Sequence, residues 1–151
     1  MSARPPCPPD ARWLTPYLVV RDLRGTLALY EKALGFKVKE TVPGPDGAPM
    51  HAGMSYKGKL VVMMGPEGGP GVSASSPASS GTECPAGLYL YVDDVDAAHD
   101  RARDAGMESL AAPEDMFWGD RICRLADADG YHWTLATNVG DFDPSAVPGQ
   151  S

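Results

Sequence analysis

Hydrophobic residues recur along this chain at two spacings, every second residue and every third or fourth. The switches between the two mark its elements. Leu18 and Val20 alternate with Tyr17 and Val19, which reads as a strand. The period then changes. Leu23, Leu27, Tyr30 and Leu34 stand at i, i+4, i+7 and i+11, the buried stripe of an amphipathic helix. Strand-like runs follow at 36–42, 48–56 and 59–65, separated by the turn sequences GPDG and KG. The succession then returns: a strand through Leu88, Leu90 and Val92, a helix after Asp94, and strands near 107–113, 120–126 and 131–137.

The two halves align at a fixed offset. YLVVRDLRGTLALYEKALGF from Tyr17 and YLYVDDVDAAHDRARDAGME from Tyr89 match Tyr17 with Tyr89, Leu18 with Leu90, Val20 with Val92, Asp22 with Asp94 and Ala33 with Ala105. The aspartate at each strand-to-helix junction suits an N-cap, because its carboxylate accepts from free N–H groups of the first turn. Similarity at constant spacing indicates a duplicated supersecondary unit. The predicted fold is therefore α+β, two tandem βαβββ modules. Residues 13–66 form the first and 87–139 the second, joined by a Gly/Pro/Ser-rich linker or mobile loop over 67–86. The proline-rich 1–12 and the last stretch, 140–151, read as disordered tails.

Composition narrows the function. At 151 residues and 43% hydrophobic content, the chain is long enough for one compact domain or two fused small modules. A net charge of −7 argues against a nucleic-acid partner, since phosphate contacts need clustered Lys and Arg. Cys7, Cys84 and Cys123 show no CxxC spacing, which disfavours a disulfide framework or structural zinc and makes a reducing cytoplasm the expectation. No run approaches 18 apolar residues and the start lacks the apolar core of a signal peptide, so a soluble cytoplasmic protein without membrane contact is expected.

Alternation also sorts side chains by face. Leu88, Leu90 and Val92 belong under the helix, so Gly87, Tyr89 and Tyr91 point away. In the last strand Tyr131, Trp133 and Leu135 share one face, and His132, Thr134 and Ala136 the other. The outward set is Thr15, Tyr17, His51, Ser55, Met63, Tyr89, Tyr91, His132 and Thr134. Aromatic faces, a thioether, hydroxyls and imidazoles suit a planar, partly apolar organic ligand. In PEDMFWGDR a single strand face cannot bury both Phe117 and Trp118, and Trp118 is the stacking candidate. Arg121 is assigned a structural pairing with Asp120 or Asp127. His99 falls on Leu27 of the buried stripe and reads as a histidine at the core edge. Phosphate-loop and Gly-x-Ser-x-Gly signatures are absent, and nothing orients Cys123 and His132 as nucleophile and base.

The modules opened by PYLVVRDL and LYEKALGF and completed by LYVDDVDAAHDRARDAG and FWGDRICRLADADGYHWTLA resemble the vicinal oxygen chelate superfamily over about residues 13–139. This is the glyoxalase, bleomycin-resistance and extradiol dioxygenase group. FWGDR followed by an Asp-x-Asp/Phe-Gly turn is most similar to its bleomycin-resistance-like or PhnB-like branch. The resemblance implies a curved mixed sheet around a cavity, built from two half-cups. It also implies a metal site with one ligand from the first and last strand of each module. Those positions hold Thr15, Met63, Gly87 and Thr134, a poor donor set for any divalent ion. The expectation is a metal-independent small-molecule-binding protein that sequesters a drug or metabolite, with no cofactor. Its ligand, cationic or planar aromatic, would meet Tyr17, His51, Met63, Tyr89, Tyr91, Phe117, Trp118, His132 and Thr134. A homodimer sharing the groove is implied as well. The alternative is a metal-dependent lyase, isomerase or dioxygenase using His51 and His132, with Glu40, Glu108 or Asp120 as third ligand.

Overall fold

The computed structural model describes residues 3–149; the outermost ends of the two expected tails, 1–2 and 150–151, lie outside the described residues. The chain runs β1 (Tyr17–Val20), α1 (Leu23–Leu34), β2 (Lys37–Pro43), β3 (Pro49–Tyr56), β4 (Lys59–Pro66), α2 (Pro77–Ser80), β5 (Leu88–Tyr91), α3 (Val95–Asp104), β6 (Glu108–Asp115), β7 (Asp120–Ala126) and β8 (His132–Asn138). Both modules are therefore βαβββ, as the repeated pattern predicts. Each forms its own four-stranded mixed sheet, ordered β1-β4-β3-β2 and β5-β8-β7-β6. β1 runs parallel to β4 and β5 parallel to β8, with the helix crossing over between them.

The caps explain where the helices start. The Asp22 carboxylate accepts from the Gly25 amide at 3.0 Å and Asp94 from Ala97 at 3.1 Å. α1 ends at Gly35, whose φ of 72° is left-handed and open to glycine at little cost. On its inner face α1 buries Leu23, Thr26, Leu27, Tyr30, Ala33 and Leu34; α3 buries Val95, His99 and Ala102.

The two helices pack on each other, so one core joins both modules. Tyr30 is fully buried and meets the Trp133 ring edge-on at 5.2 Å, and Phe36 meets Trp133 at 5.8 Å. The Arg101 guanidinium donates to the carbonyls of Lys32 at 2.7 Å and Glu31 at 3.2 Å, placing a cation at the negative end of α1. The β7–β8 turn, Asp127 to Gly130, adds a polar clasp. Asp127 accepts from Tyr30 at 2.5 Å and from the Trp133 indole at 3.1 Å, while Asp129 accepts from the Arg21 amide and guanidinium. The sheet faces turned away from the helices look outward into solvent. Tyr17, Tyr89 and Tyr91 are about half exposed there.

Two expectations change. Residues 67–86 are anchored at their middle rather than forming a free linker: Ser76 is buried, its amide donates to Glu67, and the Ala78 amide donates to the Asp129 carbonyl. The first tail is also held, with Asp10 paired to Lys39 at 2.7 Å and its carbonyl accepting from Leu60. Among the described residues no helix is long and apolar enough to cross a membrane.

Candidate functional site

The outward face of the second module concentrates aromatic and polar side chains, and strand register decides which of them meet. Tyr89 lies opposite Thr134, which lies opposite Arg124; Tyr91 lies opposite Ala136, which lies opposite Ile122. Asp120 begins β7 and is 3% exposed. Its Oδ2 accepts from the Tyr89 hydroxyl at 2.7 Å and from the Tyr91 hydroxyl at 2.8 Å, and its Oδ1 accepts from the Asn138 amide at 3.0 Å. The Trp118 indole N–H donates in turn to the Tyr89 oxygen at 3.1 Å. The chain can fold Trp118 back over the sheet because Gly119 adopts φ of 99°, and a Cβ there would strike the Gly140 carbonyl.

These bonds fix the electrostatics. Burial opposes ionisation of Asp120, but donors from Tyr89, Asn138, Tyr91 and Trp118 outweigh it and hold the carboxyl below its usual range. Burial, and then the bond to that carboxylate, push the Tyr89 phenol up to about 12. Each tyrosine thus spends its only proton on Asp120, and the Tyr89 oxygen in turn accepts from Trp118. Beside the cluster lies a cavity of about 470 Å³, lined by Tyr89, Met116, Trp118, Ile122, Arg124 and Thr134 among others. A larger hollow of about 980 Å³ lies elsewhere, among the β1–α1 junction, the β2–β3 turn and the end of β4. It is a loop-bounded groove without an aromatic side chain.

The outward face of the first module carries a different set. Tyr17 stands opposite Met63, and its ring stacks on His51 with centroids 5.7 Å apart. The Tyr17 hydroxyl is 3.2 Å from His51 Nδ1, and His51 Nε2 is 3.6 Å from Glu40 Oε1. Glu40 was considered above only as a metal ligand near a strand edge.

The structure brings some expected residues together and separates others. Tyr89, Trp118 and Thr134 share the cavity wall, with Tyr91 beside them on Asp120. Phe117 does not line the cavity but stands behind it, edge-on to Trp118 at 5.0 Å between centroids and to Phe142 of the C-terminal segment at 5.9 Å. His132 lies outside this wall, half exposed, with Nδ1 3.8 Å from Glu83. His51 and His132 belong to separate sheets, each beside its own carboxylate. Register also sets Met63 against Tyr17 rather than Thr15, and Thr134 against Tyr89 rather than Gly87. A thioether, a hydroxyl and two phenols are no better a donor set for a divalent ion. Among the described residues, no three His, Cys, Asp or Glu side chains group to hold a metal.

Arg121 makes structural pairs, but with Asp96 and Asp115 instead of Asp120 or Asp127. His99 is buried and its Nε2 lies 2.8 Å from the Ser109 hydroxyl. Cys123 is buried on the core side opposite Leu135, and burial raises its thiol to about 11, so it is no nucleophile for His132. Alternation could find Tyr89 and Tyr91 on one face. It could not find Asp120 as their common acceptor, because that contact depends on the register of three strands.

Comparison with known proteins agrees with this architecture. The family model for the glyoxalase/bleomycin resistance protein/dioxygenase superfamily matches residues 13–135. An uncharacterised protein of Mycobacterium tuberculosis (strain H37Rv) is 38% identical over 136 residues, which is 89% of this chain and 79% of that protein. Among solved structures, TioX from Micromonospora sp. ML1 aligns with a TM-score of 0.64 at 22% identity, over 83% of this chain and 98% of that one. A glyoxalase-related enzyme from Fulvimarina pelagi aligns at 0.66 and 18%, over 84% and 88%. A mutant of the fosfomycin resistance protein FosX from Listeria monocytogenes, complexed with Mn(II) and a dihydroxypropylphosphonic acid, aligns at 0.61 and 15%, over 80% and 85%. At such identities these structures speak for the fold alone. With a family match spanning both modules and a βαβββ pair in the structure, the chain belongs to the glyoxalase/bleomycin resistance protein/dioxygenase superfamily.

Proposed function

We propose that this chain is a metal-independent small-molecule-binding protein of the cytoplasm, which sequesters a planar, partly aromatic drug or metabolite between two copies of itself. The observation that carries the reading is the Tyr89–Tyr91–Trp118 array locked on Asp120 beside a cavity of about 470 Å³. Locked aromatics offer stacking area with little ordering cost on binding. The Tyr91 oxygen, whose proton is held by Asp120, favours a ligand with N–H or O–H donors, including a cationic nitrogen, and the net charge of −7 acts in the same sense. Exposure supports the homodimer. Both faces look outward, and β1 and β5 each end a sheet, so a second copy can roof each face.

Titration with planar aromatic drugs, cationic and neutral, tests the binding. Quenching of tryptophan fluorescence that Trp118→Phe abolishes supports stacking at this face; a response unchanged in that variant rejects it. Light scattering after size exclusion should give twice the chain mass. Protein purified without chelator should carry no stoichiometric Zn, Ni, Fe or Mn, and one metal per chain would reject the metal-independent reading.

A further inference from the structure

The outward face of the first module holds three groups in line, and the sheet makes room for them at two glycines. A Cβ on Gly65 would sit 2.7 Å from the Tyr17 hydroxyl, and one on Gly53 would overlap the Glu40 carboxylate. Neither glycine is among the residues with positive φ, so the backbone does not require them. Glycine inside a strand weakens it and often marks a close approach. Here the approach is by side chains: Tyr17 leans over Gly65 and Glu40 lies over Gly53, both toward His51.

We propose that Tyr17, His51 and Glu40 form a proton relay, which gives the chain a metal-free acid–base activity toward small substrates carrying a weakly acidic C–H or O–H bond. The Glu40 carboxylate facing Nε2 favours the tautomer with its proton there, which leaves the Nδ1 lone pair to accept from Tyr17. When a substrate proton moves to the Tyr17 oxygen, the phenolic proton moves to His51 Nδ1, and Glu40 stabilises the imidazolium. The electron pair of the broken bond stays on the substrate. Return of a proton to a different substrate atom completes an isomerisation, resets the relay and consumes no other reactant. Tyr17 is the catalytic residue, His51 the base behind it, and Glu40 a positioning residue. The neighbouring Lys39 is engaged by Asp10, and β4 sets Met63 opposite Gly53.

The relay lies on one sheet and the Trp118 array on the other, so either assignment can fail alone. Ring ¹⁵N shifts, with His51 assigned by its loss in His51→Gln, should report the Nε2-protonated tautomer; a proton on Nδ1 overturns the relay. The activity is read with 5-nitrobenzisoxazole, whose loss of the C3 proton breaks the N–O bond and releases coloured 2-cyano-4-nitrophenolate. Wild-type protein should outpace imidazole at equal concentration, and His51→Gln should lower the rate about a hundredfold. Tyr17→Phe and Gly65→Ala should fall alike, the second by displacing Tyr17 without removing any functional group. Glu40→Gln should lower kcat with KM unchanged and alter the ¹⁵N tautomer signature. Thermal melts of each variant verify folding. A wild-type rate no faster than imidazole, or equal rates across folded variants, overturns the proposal.

Discussion

Replacing Asp127 with asparagine probes the joint between the modules. The Asp127 carboxylate accepts four bonds: Oδ2 from the Tyr30 hydroxyl and the Trp133 indole, and Oδ1 from the amides of Asp129 and Tyr131. An asparagine keeps the two amide bonds by aiming its carbonyl at them. Its NH₂ then faces Tyr30 and Trp133. The Tyr30 hydroxyl can rotate and accept, but the indole N–H can only donate, so one buried donor loses its partner. That loss costs about 1–3 kcal/mol, which for a chain of this size lowers Tm by about 2–12 °C. Asp127→Ala strands all four donors and should cost about 4 kcal/mol or more.

The pH dependence has an unusual sign for a carboxylate. Burial raises the Asp127 carboxyl against the opposing donors, so the folded state holds its proton more tightly than the unfolded chain does. The associated stability is full below the unfolded value, about 4, and is lost as pH rises through the higher folded value. Urea unfolding followed by tryptophan fluorescence should show a lower midpoint for Asp127→Asn with an unchanged slope. The gap to wild type should narrow as pH rises over that window. A variant within about 0.5 kcal/mol of wild type, or a gap that widens with pH, would refute the reasoning.

Other consequences are measurable separately. Asp120→Asn removes the carboxylate on which Tyr89 rests, so the phenol should titrate below its value of about 12, though burial keeps it above the ordinary range; ultraviolet titration reads this. Leu135→Ala empties a fully buried site between the sheet and α3 and should cost about 2–5 kcal/mol in urea unfolding. Treatment with EDTA should leave Tm unchanged, whereas a fall of several degrees would reveal a bound ion stabilising the fold.

How much of this was legible in the sequence depends on the range over which each feature is determined. The strands and long helices followed from local periodicity, and the caps at Asp22 and Asp94 from the residue type at each junction. The outward set needed only alternation, so Tyr17, Tyr89 and Tyr91 were found correctly. Partners were harder. Asp120 reaches the tyrosines through the pairing of β5 with β8 and β8 with β7, and Arg121 selects Asp96 from a helix. The anchoring of Ser76 escaped a compositional reading because Gly, Pro and Ser signal turn chemistry but not what the turn docks on. The contact of Phe117 with Phe142 escaped because Phe142 sits in a segment with no periodicity to read.

Duplication placed a tyrosine at the same point of both modules, yet the two tyrosines face different chemistry. Tyr89 meets a carboxylate already pulled below its usual range while its own phenol is pushed up to about 12. Groups driven apart in this way do not exchange a proton; the bond is fixed and serves to hold Tyr89, Tyr91 and Trp118 still. Tyr17 instead meets an imidazole, 3.2 Å from its Nδ1, whose Nε2 lies 3.6 Å from Glu40. A proton can move along that line. On the readings proposed above, the second module grips and the first transfers. If a partner copy lays one face over the other, a ligand held by the Trp118 array meets Tyr17 from the opposite side.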